Sequence, residues 1–250
     1  MANNKLKSIQ GLKGLSNLRK IDLGANRIRF MDEKELSGLV SLEELWLGKN
    51  KIEKITGLEK LTKLRRLDLQ SNRLEVVENL TSQVDTLEEI YLAHNGITTE
   101  GVSNPTGLAQ AFTVLTVVDL GRNRLTSANS FAHILTLDEL WLSGNKIATF
   151  DDIQALSALP SLDTIYLEYN PLQDNNPLYR KRIHEIMPCL KQIDANMIAP
   201  LPRSMYATSG GTTATLTGTT TGRAETDEAQ LRRMQDMVIA RAKVESEQSK

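Results

Sequence analysis

The sequence predicts an α/β solenoid, in which a curved parallel sheet lines a concave face and short helical, 3-10 or extended returns cover the convex one. Three observations predict it. The eleven-residue pattern L-x-x-L-x-L-x-x-N-x-L occurs seven times along the chain. Its asparagines follow one another at intervals of 24, 22, 23, 28, 22 and 25 residues. Between copies lies a second apolar set, such as Ile55, Leu58 and Leu61, suited to a return segment. Intervals of roughly 20–29 residues with this pattern define a leucine-rich-repeat solenoid.

The copies run in order. They are Leu18, Ile21, Leu23, Asn26, Ile28, then Leu42, Leu45, Leu47, Asn50, Ile52, then Leu64, Leu67, Leu69, Asn72, Leu74. Next come Leu87, Ile90, Leu92, Asn95, Ile97 and Leu115, Val118, Leu120, Asn123, Leu125. The last two are Leu137, Leu140, Leu142, Asn145, Ile147 and Leu162, Ile165, Leu167, Asn170, Leu172. Each x-L-x-L-x piece reads as a short strand with its leucines pointing inward and the residues between them pointing out. The asparagine turns the chain, and its amide can pair backbone groups that the turn would orphan. One repeat cannot bury its own leucine row, so repeats must stack.

Composition shifts mark three segments. Residues 1–198 form the repeat domain with its C-terminal cap. Asn4, Leu6, Ile9, Leu12 and Leu15 read as the rear half of a repeat, so the chain starts in mid-motif. No polar cap precedes them, and the expectation is a fragment or an end face that something covers. At the other end Asn176-Pro177 predicts a helix start and Pro188 a stop. Ile183, Ile186, Met187, Leu190 and Ile193 would close the last repeat while Arg180, Lys181 and Arg182 stay wet. Residues 199–223 are rich in Thr and Gly and read as a disordered linker. Residues 224–250 predict a short helix, with acids at its start and Leu231, Met234, Val238 and Ala242 at helical spacing.

Composition also excludes. No run of about 18 apolar residues is present to span a membrane, and Met1–Gln10 lacks the pattern of a secretory signal. The single cysteine, Cys189, allows neither an internal disulfide nor a cysteine-cluster metal site. An intracellular home is expected. Asn79-Leu80-Thr81 fits a glycosylation acceptor and is read as chance. His94, His133 and His184 fall at unrelated repeat phases, and no nucleophile is placed beside them by the repeat. There is no phosphate-cradling loop, and the acids alternate with rings rather than converging on a cation. The reading is therefore no catalytic residues, no metal, no cofactor and no enzyme.

Function in such a repeat lies on the outward strand positions. The residue between the two leucines of each L-x-L is Asp22, Trp46, Asp68, Tyr91, Asp119, Trp141 and Tyr166 in turn. At about 4.8 Å per strand this lane extends roughly 29 Å. Aromatic residues are only 4% of the chain, yet both tryptophans sit here. Large rings on solvent positions anchor protein interfaces. The plainer reading is that they lie over their neighbours on the sheet. One lane runs through Lys20, Glu44, Arg66, Glu89, Val117, Glu139 and Thr164, and another through Gly24, Gly48, Gln70, Ala93, Gly121, Ser143 and Glu168. The three lanes hold seven acids against two bases, in a chain of formal net charge −1. An acidic face favours a basic partner surface and repels nucleic acid. The predicted partner-binding residues are Asp22, Trp46, Asp68, Tyr91, Asp119, Glu139, Trp141 and Tyr166.

The phrases LEELWLGKNKI, LRRLDLQSNRL, LEEIYLAHNGI, LDELWLSGNKI and LDTIYLEYNPLQ, with the end YRKRIHEIMPCLKQIDA, carry a further resemblance. From about Asn4 to Asn196 the chain resembles the protein phosphatase 1 regulatory subunit 7 family, most specifically between Leu137 and Ala195. The resemblance implies a nuclear and cytoplasmic leucine-rich-repeat regulator whose concave face holds the type 1 protein phosphatase catalytic subunit. It implies contacts at Asp22, Trp46, Asp119, Glu139, Trp141 and Tyr166. The chain departs from that family in starting several repeats late, in the long fourth-to-fifth interval through Gly101, Pro105 and Gly107, and in its Thr-rich tail. The alternative reading is a structural adaptor in a larger assembly such as a ciliary or cytoskeletal complex.

Overall fold

A computed structural model of the chain describes residues 1–174 and 176–198. Eight short strands lie side by side and parallel: β1 (Lys20–Asp22), β2 (Glu44–Trp46), β3 (Arg66–Asp68), β4 (Glu89–Tyr91), β5 (Val117–Asp119), β6 (Glu139–Trp141), β7 (Thr164–Tyr166) and β8 (Gln192–Ile193). A ninth, β9 (Asn196–Met197), pairs antiparallel to β8. Each parallel strand pairs with the next in sequence, as expected when one repeat stacks on another. The returns are short turns, with helices α1 (Glu33–Leu36) and α2 (Thr99–Val102) and 3-10 pieces such as Asn129–Phe131 and Phe150–Ala158. The α/β solenoid read from the repeat is the fold.

The core is the stacked leucine row. Leu45, Leu67, Ile90, Val118, Leu140 and Ile165 are fully buried, as are Ile55, Leu58 and Leu61 of one return. Beside it runs a ladder of asparagines. Asn123 shows its chemistry: Oδ1 accepts the backbone amide of Ile97 (3.0 Å), and Nδ2 donates to the carbonyls of Leu120 (3.0 Å) and Leu92 (3.0 Å). Asn50, Asn72, Asn95, Asn145 and Asn170 repeat this pattern. Each side chain thus pairs the backbone of its own repeat with that of the one before, which buried amides require. Past the last asparagine, Asp194 follows Ile193 at the phase of Tyr166, and its Oδ1 accepts the amides of Leu167 (2.8 Å) and Glu168 (3.0 Å).

The residue before each asparagine has a left-handed backbone. Ala25, Lys49, Ser71, His94, Arg122 and Tyr169 have φ between 51° and 60°, and Gly144 has φ of 70°. Only one of these seven is glycine, so six L-residues hold a conformation that costs them energy. The long fourth-to-fifth interval folds as α2 and a loop packed on the preceding return. A Cβ on Gly107 would stand 1.9 Å from the carbonyl oxygen of Val77, which explains glycine at that close approach.

The first 19 residues stack as a half-repeat. The Leu6 amide donates to Asn26 Oδ1 (3.0 Å), and Ile9 and Leu12 are buried. The cap differs from expectation in its start. Helix α3 spans Tyr179–Ile186, and a turn precedes it in which Asn176 Oδ1 accepts the Leu178 amide (3.1 Å) and the Asn176 carbonyl the Tyr179 amide (3.0 Å). Met187, ahead of Pro188, leaves the helical region as the residue before a proline does. Ile183, Met187, Leu190 and Ile193 are buried as predicted. Arg180 and Arg182 do more than stay wet: Arg180 donates to the Asn196 carbonyl (3.0 Å), and Arg182 lies 5.3 Å from the centre of the Phe150 ring. The predicted linker over 199–223 and helix over 224–250 lie outside the described residues.

Candidate functional site

Strand register brings the predicted lane together. Asp22 pairs with Trp46, Trp46 with Asp68, Asp68 with Tyr91, Tyr91 with Asp119, Asp119 with Trp141 and Trp141 with Tyr166. Seven outward side chains therefore form one row, and Glu139 stands beside it two residues before Trp141. Position follows directly from the repeat, since an L-x-L strand of fixed phase presents its middle residue to the same face every time.

The carboxylates in the row are held by their own strands. Oδ1 of Asp22 accepts the Gly24 amide (2.8 Å), Asp68 the Gln70 amide (2.9 Å) and Asp119 the Gly121 amide (2.9 Å). Glycines make room for them: a Cβ on Gly48 would stand 3.1 Å from Asp68 Oδ1. Burial raises both inner carboxyls, Asp68 to about 6 and Asp119 to about 7, against the pull of those backbone amides. Asp119 is 3% exposed. The formal charge of the face overstates its charge at neutral pH, because Asp119 is only partly ionised there.

The exposure expected of the rings needs correction. Asp22 is exposed and Trp46 and Asp68 are half-buried, but Tyr91, Asp119, Trp141 and Tyr166 are buried. Tall side chains on strands about 4.8 Å apart lean on one another. Tyr91 and Trp141 meet edge-on with centroids 6.5 Å apart across Asp119, and Trp141 and Tyr166 pack at 5.5 Å. The plainer alternative of rings over their neighbours thus describes the β4–β7 half of the row. The β1–β3 half remains open.

Sequence reasoning missed how the rings are fixed. Trp46 Nε1 donates to Glu44 (3.2 Å), Tyr91 Oη to Glu89, and Trp141 Nε1 to Glu139 (3.1 Å). The E-x-[WY] phrase carries this signal three times: an acid two residues earlier shares the ring's face on a strand. Arg66 joins two of these pairs, bonding Glu89 (2.7 Å) and lying 5.6 Å from the Trp46 ring centre. Lys20 meets Glu44 at 2.7 Å. Gln192, absent from the predicted set, donates to Tyr166 Oη (2.6 Å). Both bases of the face are therefore committed to its acids.

Two of the three histidines are built into the repeats. His133 bridges carbonyls of Ser130, Leu108 and Gln110 at 2.8–3.1 Å, and His94 sits at a left-handed turn position. Among the described residues no group of three His, Cys, Asp or Glu side chains is placed to hold a metal ion, and no helix is long and apolar enough to cross a membrane. The row offers a rigid, ring-and-carboxylate surface, the chemistry of protein contact.

Comparison with known proteins agrees on the repeat. Family models described as "Leucine Rich repeats (2 copies)" match residues 40–82, and others described as "Leucine rich repeat" match residues 1–52 and 86–104. Over 69 residues the chain is 45% identical to protein phosphatase 1 regulatory subunit SDS22 of Schizosaccharomyces pombe, covering 27% of this chain and 21% of that protein. The chain has the leucine-rich-repeat fold, and part of it is similar to a regulatory subunit of protein phosphatase 1. Over 52 residues it is 39% identical to protein phosphatase 1 regulatory subunit 7 of Homo sapiens, covering 21% of this chain and 14% of that one. The matches span about a fifth or less of the length of these relatives. Among solved structures, a leucine-rich-repeat protein of Leptospira interrogans superposes with a TM-score of 0.59 at 24% identity, over 71% of this chain and 43% of that one. That likeness shows the fold alone.

Proposed function

We propose that this leucine-rich-repeat protein is a non-catalytic regulator whose concave row binds the catalytic subunit of a type 1 serine/threonine protein phosphatase. The observation that carries the reading is the in-register row from Asp22 to Tyr166, in a chain whose relatives are named as regulatory subunits of that phosphatase. Asp22 and Trp46 supply its open end, with the Trp46 ring already oriented by Glu44 and Arg66. At the closed half Trp141 is packed between Tyr91 and Tyr166 and holds Glu139 in place beside the row. Preformed rings lose little freedom on binding, which favours tight association.

The test is capture of purified type 1 catalytic subunit by the parent protein and by two double variants, Asp22→Ala with Trp46→Ala and Glu139→Ala with Trp141→Ala. Loss of a central tryptophan is expected to cost about 2–4 kcal/mol of binding. Thermal melts of both variants separate lost contact from lost folding. Capture as strong as the parent's by both folded variants would reject the proposal.

A further inference from the structure

Asp68 and Asp119 lie on β3 and β5, in register with Tyr91 on the strand between them. Two strand spacings separate them, roughly 9.6 Å. Each has one oxygen held by a backbone amide of its own chain, that of Gln70 or Gly121. Asp119 is 3% exposed and lies between Tyr91 at 4% and Trp141 at 6%. A carboxyl removed from water in this way favours its neutral form, and a like charge nearby favours it further. The groups around the pair are Asp22 on β1, Glu44 and Trp46 on β2 with Lys49 in the following turn, and Arg66 on β3. Beyond them lie Glu89 on β4 with His94 in its turn, Arg122 after β5, and Glu139 on β6. Arg66 bonds Glu89 at 2.7 Å, and its charge, like that of Lys49, pulls against the effect of burial on Asp68.

We infer that Asp68 and Asp119 are a proton-responsive element of the concave row, so that a cationic partner surface is held more tightly in mildly alkaline than in mildly acidic solution. The inference rests on the phosphatase-binding reading for the identity of the partner, but not for the protonation itself. Burial pushes the two carboxyls to about 6 and about 7, which puts the charge change across neutrality. Lowering the pH protonates both and leaves a less negative face. Raising it restores two charges under the rings that a basic surface would cover, and opposite potentials across an interface favour association.

The chain carries its own reporters. Trp46 is in register with Asp68, and Trp141 with Asp119, and these are its two tryptophans. Tryptophan fluorescence of the full chain is titrated from pH 5 to 8.5 in the parent, in Asp68→Asn, in Asp119→Asn, in the double variant and in His94→Gln. A transition with its midpoint between about 6 and 7 is expected in the parent and in His94→Gln. It should be reduced in each single variant and absent from the double one. In parallel, affinity for purified type 1 catalytic subunit is measured at pH 6 and 8. It should rise at least about fivefold with pH in the parent, and by clearly less in the double variant. Absence of the fluorescence transition, its survival in the folded double variant, or an equal pH response of parent and double variant would overturn the inference. If no phosphatase binds at either pH while the transition behaves as expected, the proposed function fails and proton uptake by the pair stands.

Discussion

The cost of placing Asp119 where it sits can be read from its protonation. An aspartate in the unfolded chain titrates near its ordinary value of 3.8, whereas burial lifts Asp119 in the folded protein to about 7. Below about pH 4 both states carry the proton, and the group adds no cost. Between 4 and 7 the unfolded chain releases its proton while the folded one keeps it, so stability falls as pH rises. Above 7 the loss is complete, on the order of 4 kcal/mol. Asparagine keeps an oxygen for the Gly121 amide and carries no charge. Asp119→Asn is therefore expected to be more stable than the parent at pH 8, with the difference shrinking as pH falls to 4. Urea unfolding at several pH values measures it, and a difference independent of pH would show that the carboxyl is ionised throughout. An aspartate retained at such a cost is the kind of residue for which function is the natural account.

At the scale of the repeat, most of the architecture was legible because spacing alone encodes it. A strand of period two and an asparagine at fixed phase determine which residues share a row, and Asp22 to Tyr166 fell into the expected order. Exposure was not legible, because it depends on how far one tall side chain leans over the next. Nothing in the phase of Trp141 says that Tyr91 and Tyr166 close around it. The commitment of Arg66 to Glu89 was equally hidden, since their partnership joins residues 23 apart. Helix α3 begins two residues past its proline signal, after a turn closed on Asn176. The left-handed residue before each asparagine was also unread, since only Gly144 announces it. That position offers a test. Ser71 has φ of 54° and keeps its backbone amide bonded to the Ala93 carbonyl at 2.8 Å. Glycine adopts this conformation freely but gains entropy in the unfolded chain. Ser71→Gly should still stabilise the protein by about 0.5–1 kcal/mol, read as a higher urea midpoint with unchanged slope. A lower midpoint would mean that the turn imposes no strain.

Across the whole repeat array, stability depends on how many neighbours each repeat has. Interior strands bond on both sides: the Leu69 amide donates to the Tyr91 carbonyl, Leu92 to Asp119 and Leu120 to Trp141, all at 2.7–2.8 Å, and the asparagine ladder ties the carbonyls of Leu69, Leu92 and Leu120 to the following repeat. The first 19 residues have no strand and join the array through a few bonds, among them Leu6 to Asn26 and Leu12 to Glu35. Leu6 and Leu15 are 37% and 46% exposed there, whereas Leu69, Leu92 and Leu120 are fully buried. In a quasi-linear array the energy to open a segment is set by its own interfaces, so opening should be graded along the chain. Native-state hydrogen exchange in rising urea resolves this. The amides of Leu6 and Leu12 are expected to exchange through local opening, with little dependence on urea. Those of Leu69, Leu92 and Leu120 should exchange only through opening of the array, with a free energy that falls steeply with denaturant. Equal opening energies and slopes for the two groups would make residues 1–19 part of the central cooperative unit, and the bonds from Leu6 and Leu12 as consequential as the ladder.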